Sequence, residues 1–189
     1  MNRHILQTAN HQLPKGFTLI ETLAAITLLS VAIVAPMSLA SRSLSASYYS
    51  RDQVTAYYLA QEAIESIRNI RDGNVLQIVQ SSNPASINLF QDIPLDVNFT
   101  VDARKTNSIT AINQNCSPAC PALQTDGTLY GYNAGWTDTH FTRTVRVTQI
   151  SGSPNELRVT VTVAWKTGAF QERSFSIAEN MYRWIQDGT

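Results

Sequence analysis

Hydrophobic and polar positions divide this chain into three stretches. From Phe17 to Ser41, 25 positions, the only charged side chain is Glu21. An apolar run of that length is long enough to cross a hydrocarbon core of about 30 Å as a helix. From Arg42 to Arg71 there is neither Gly nor Pro, and Tyr57, Ala60, Ile64 and Ile67 recur at three- and four-residue spacing with Glu62, Glu65 and Arg68 on other faces. The helix is therefore expected to continue to Asp72-Gly73-Asn74, where glycine supplies a stop. From Phe17 to Asp72 that is 56 residues, or about 84 Å at helical rise. Pro36 removes one backbone donor, so a kink or a locally loosened stretch is expected there.

Beyond Asn74 the period shortens to two. Leu95, Val97, Phe99 and Val101 alternate with polar residues, as do Leu157, Val159, Val161, Val163 and Trp165. Phe141, Val145 and Val147 mark a third strand, and Phe175 with Ile177 a fourth after a turn at Thr167-Gly168. Ser151-Gly152-Ser153-Pro154-Asn155 is a short link, which favours an antiparallel meander. A short helix is expected near Leu76 to Val79, and Glu179 to Gln186 either adds a helical turn or extends the fourth strand. The fold class is thus α+β: a long N-terminal helix whose Tyr57, Ala60, Ile64 and Ile67 stripe covers an antiparallel sheet of about four strands.

Glu21 is the residue to explain. A carboxylate near the start of a membrane-length apolar run costs a few kcal/mol and implies a partner charge. The sixteen residues before the run carry Arg3 and Lys15 and no acid, which keeps the N-terminus in the cytoplasm and sends the remainder outward.

The run Lys15-Gly16-Phe17-Thr18-Leu19-Ile20-Glu21 resembles the prepilin-like proteins of type IV pili and type II secretion systems. Their signal is a short basic leader ending in Gly, then Phe-Thr-Leu-Ile-Glu and an apolar helix. The resemblance implies a pilin-like fold and removal of a leader, residues 1–16, by prepilin peptidase between Gly16 and Phe17, with Lys15 preceding the cut. It implies N-methylation of Phe17 and pairing of Glu21 with the Phe17 amino group of a neighbouring subunit. It also implies a filament-core helix over 17–41, its outer half over 42–73 and a β-rich domain over 74–189. Partners implied are the peptidase/methyltransferase, other pilin or pseudopilin subunits and the inner-membrane assembly platform. The implied location is the inner membrane, single-pass with the N-terminus inside, and then a cell-surface filament. The Ala60 to Asn74 stretch resembles the helix end of a subgroup of minor pilins.

Two other readings of the apolar run are an ordinary signal peptide cut after Ser38-Leu39-Ala40 and an uncut signal anchor; both leave Glu21 inside an apolar region without a role. At the level of function, the alternatives to a minor pilin or pseudopilin are a membrane-anchored, adhesin-like binding module and a secreted protein beginning at Ser41.

Composition narrows the field further. The formal charge is zero, and loss of Arg3 and Lys15 leaves twelve bases against fourteen acids. That is no nucleic-acid footprint. Cys116 and Cys120 are the only cysteines. Outside the cytoplasm such a pair is expected to close a small disulfide loop, with free thiols as the alternative. Zinc needs more ligands than His140 supplies once His4 and His11 leave with the leader. No catalytic motif is present, so neither an enzyme nor a cofactor is expected. Asp126, Asp138 and His140 lie in a glycine-bearing stretch that reads as an ordinary polar loop, with calcium or partner binding as the alternative. Asn98-Phe99-Thr100 matches a glycosylation acceptor but falls within an expected strand.

Overall fold

A computed structural model describes residues 16–83, 87–105, 111–113, 116, 118–167 and 172–183. Lys15, the Gly168 turn and the end of the tail, including Trp184 and Ile185, lie outside the described residues. Among the described residues one helix, α1, runs over Leu19–Gln80, through Pro36, and seven strands follow: β1 (Asn98–Val101), β2 (Ile112–Asn113), β3 (Ala122–Thr125), β4 (Tyr130–Gly131), β5 (Thr137–Ile150), β6 (Ser153–Trp165) and β7 (Arg173–Tyr182).

The chain divides into two units, residues 1–46 and 47–189. In the second, β5, β6 and β7 form the expected antiparallel meander, in register from Phe141↔Trp165 to Gln149↔Leu157 and from Trp165↔Arg173 to Glu156↔Tyr182. β6 occupies one edge of β5, so β1 and β3 share the other: β1 pairs at Phe99↔Val145 and β3 at Ala122↔Thr142. β2 and β4 flank β1 and β3. The four expected strands are all present. The additional three span two to four residues each, too short for a two-residue period to show.

Three local expectations are corrected. The helix passes through Gly73 and ends seven residues beyond it, because Asn74 is buried inside it and donates its amide to Leu89 O and Gln91 O, both at 3.0 Å. Leu76 to Val79 therefore belong to α1. The strand expected from Leu95 begins only at Asn98; Asp96 takes φ 57°, and Leu95 and Val97 stay exposed. A left-handed residue breaks the extended repeat, and Asp tolerates that conformation better than most residues. The buried stripe of α1 is Ala56, Leu59, Ala60, Ala63, Ile64, Ile67 and Ile70, with Tyr57 left on the flank. There Tyr57 meets Phe175 edge to face, ring centroids 5.7 Å apart.

Against that stripe lie Phe99, Val101, Leu123 and the inward residues of β5 and β6, among them Phe141, Val145, Val159, Val161 and Trp165. Each large aliphatic side chain buried here contributes about 1.5–3 kcal/mol. Ala56, Ala60 and Ala63 are completely buried, and their small size lets the helix backbone approach the sheet.

Candidate functional site

Among its described residues, the N-terminal unit is a helix without a core of its own. Every residue from Gly16 to Leu44 is exposed, Phe17 to 81% and Leu19 to 86%. Eleven Phe, Leu, Ile and Val side chains lie between Phe17 and Leu39; at bilayer depth they favour insertion by about 3–7 kcal/mol. The hydroxyls in this stretch are satisfied within the helix: Thr22 Oγ1 donates to Leu19 O at 2.9 Å, Thr27 to Ala24 O at 2.8 Å, Ser30 to Ile26 O at 2.8 Å and Ser38 to Ala35 O at 2.9 Å. Such back-bonding leaves none of these four hydroxyls as an unpaired donor.

Thr18 caps the helix. Its carbonyl accepts from Glu21 N and Thr22 N at 3.1 Å, and its hydroxyl accepts from Glu21 N at 3.3 Å. The Thr-x-x-Glu spacing is that of a capping box, so Glu21 lies in the first turn, where the helix dipole favours a carboxylate by about 0.3–1 kcal/mol. Burying an acid in lipid costs up to about 3 kcal/mol, so the dipole alone does not offset it. Among the described residues no cation pairs with Glu21. A Cβ added at Gly16 meets nothing within 4 Å, so no packing among the described residues demands glycine there.

The other residues singled out from sequence do not converge. Cys116 and Cys120 are disulfide-bonded, and Cys120 Sγ lies 3.4 Å from Thr144 Oγ1 on the sheet face away from α1. Asp126 organises its own turn, accepting from Thr128 N, Thr128 Oγ1 and Leu129 N at 2.8–2.9 Å. Those bonds, led by the one from Leu129 N, hold its carboxyl below the usual range. Asp138 accepts from Gln124 Nε2 at 3.0 Å. His140 Nε2 lies 3.3 Å from Asp52 Oδ2, which also accepts from Thr167 Oγ1 at 2.5 Å. Among the described residues no three His, Cys, Asp or Glu side chains gather as for a metal ion.

Two clusters escaped the sequence reading. Arg143, between Phe141 and Val145 on the core face of β5, is fully buried. It donates to Leu59 O and Glu62 Oε2 at 2.9 Å and to Val101 O at 2.6 Å. The sequence signal was the interruption itself, an arginine where alternation calls for an apolar residue. Asp102, also buried, is bracketed by Arg104 with contacts of 3.2 and 3.0 Å, and Arg104 stacks over Trp136 at 4.2 Å. Asp102 also accepts from Tyr132 N at 3.3 Å. Burial pushes the Tyr132 phenol up from its ordinary value, although a hydrogen bond with Thr100 opposes this. Both clusters tie loops and helix to the sheet.

No curated protein and no solved structure matches this chain. Residues 14–35 match the family described as the prokaryotic N-terminal methylation motif, a segment that begins before Gly16 and includes the Thr18 cap, Glu21 and the exposed apolar turns. Residues 14–35 thus carry the signature of type IV pilins and pseudopilins, at the head of a long apolar helix that with the antiparallel sheet gives an α+β, pilin-like layout.

Proposed function

We propose that this chain is a minor pilin or pseudopilin, a structural subunit that enters a type IV pilus or a type II secretion-like filament through residues 17–41. Prepilin peptidase cuts between Gly16 and Phe17, with Lys15 ahead of the cut, and the new Phe17 amino group is methylated. Glu21 then pairs with the Phe17 amino group of an adjacent subunit, and the inner-membrane platform drives assembly. The protein starts as a single-pass inner-membrane protein with its N-terminus inside and displays residues 47–189 outside. On this reading it is not an enzyme and binds no cofactor.

The observation that carries the proposal is a carboxylate in the first turn of α1, within an apolar stretch exposed through Leu44, with no cationic partner among the described residues. Pairing and hydrogen bonding make a desolvated carboxylate tolerable, and assembly supplies the partner. The open space around Gly16 adds support, since a glycine that the chain does not itself need is a natural recognition point for a peptidase.

The experiment is mass spectrometry of the N-terminus in the membrane fraction of a host with its own processing enzyme, followed by Glu21→Ala. The expected terminus is N-methyl Phe17, and E21A should fold, as judged by circular dichroism, yet fail to enter filaments. A chain beginning at Met1 or Ser41, or normal incorporation of E21A, would refute the assignment.

A further inference from the structure

The second unit carries an open groove of about 990 Å³. Its floor is the solvent side of α1, with Tyr58, Glu62 and Glu65; one wall is the β3–β4 turn with Leu129, the other Ile177–Glu179 of β7. Among the described residues both walls end at open sheet edges. β4 pairs only with β3 and β7 only with β6, so among the described residues the far edge of ten-residue β7 has no strand beside it. The sheet thus curls around α1 and stops on either side of this groove.

An open edge presents a row of unsatisfied backbone donors and acceptors, the template for strand addition. A helix could fill the volume but has no backbone groups to give that edge. The apolar surface fits an alternating strand: Tyr58 is 64% and Leu129 51% exposed, and both lie where inward side chains of an added strand would fall. The charge fits a basic one. Arg68 bridges both Glu65 and Glu179, and Arg143 lies beneath Glu62, so three carboxylates share two guanidiniums, the groove stays net negative, and Glu65 is the most exposed of the three at 66%.

We infer that this groove accepts an extended segment of a partner protein, paired in strand fashion with β7, with apolar residues facing α1 and lysine or arginine answering Glu65. The inference is independent of leader cleavage and of filament entry.

The test uses the full chain in detergent micelles, extended past Thr189 by a Gly-Ser linker of about 20 residues, which spans about 25 Å, and a ten-residue strand of alternating Val and Lys. Tethering raises its effective concentration to the millimolar range. Amide hydrogen exchange along β7 is compared with the unextended chain and with a version whose lysines are replaced by glutamate. At least tenfold slowing at alternate amides between Arg173 and Tyr182 is expected with the Val/Lys strand, and its loss both with the Val/Glu strand and in Glu65→Lys. No slowing with Val/Lys, or equal slowing with Val/Glu, would overturn the inference.

Discussion

Replacing Arg143 with methionine tests what joins the helix to the sheet. The substitution roughly conserves volume and removes three hydrogen bonds. Two of them go to the carbonyls of Leu59 and Val101 in buried surroundings; bonds from a charged donor are worth about 1.5–3 kcal/mol each. The third reaches Glu62, whose side chain is 37% exposed, so solvent screening limits it to at most about 1 kcal/mol. Opposing the loss, the variant no longer desolvates a guanidinium whose Nε is buried without a partner, a relief of about 1–3 kcal/mol. The expected net loss is about 2–4 kcal/mol. Urea unfolding of the full chain in detergent micelles, followed by tryptophan fluorescence, should show a lower midpoint at unchanged slope. Glu62→Gln should cost about 1 kcal/mol or less, since water replaces what it loses. A methionine variant as stable as the parent, or more stable, would refute the reasoning and make Arg143 a charge the core merely tolerates, as some buried ion pairs are.

Gly131 lies under Arg104, and a Cβ there would come within 2.6–2.9 Å of the guanidinium. Gly131→Ala should therefore dislodge Arg104 from Asp102 and Trp136, costing about 1–3 kcal/mol and changing Trp136 emission; unchanged emission and stability would contradict that. Two titrations follow, one from hydrogen bonding and one from burial. Asp126 is held below its ordinary 3.8, so its contribution is complete above that pH and is lost as pH falls through the lower folded value; an NMR midpoint at or above 3.8 would contradict the turn geometry. Tyr132 is held above 10.0 by burial, so folding is opposed as pH rises from about 10 through the higher folded value. Tyr132→Phe should weaken this alkaline loss, and an unchanged pH profile would show that another group is responsible.

Sequence alone determined the elements whose signal is local. An uninterrupted apolar run, a three-to-four spacing and a two-residue alternation each repeat over many residues, so α1, β5, β6 and β7 were legible, and so was the run from Gly16 to Glu21. Only the tertiary structure decided matters in which a side chain's partner is remote in sequence. Asn74 carried α1 past Gly73 because Leu89 and Gln91 accept its amide. Arg143 is a core residue because helix and β1 carbonyls 84 and 42 positions away surround it. The groove beside β7 exists because the seven described strands curve around α1 without closing on one another. A repeat is encoded residue by residue along the chain, whereas the satisfaction of a buried polar group depends on which distant backbone atoms packing brings within 3 Å.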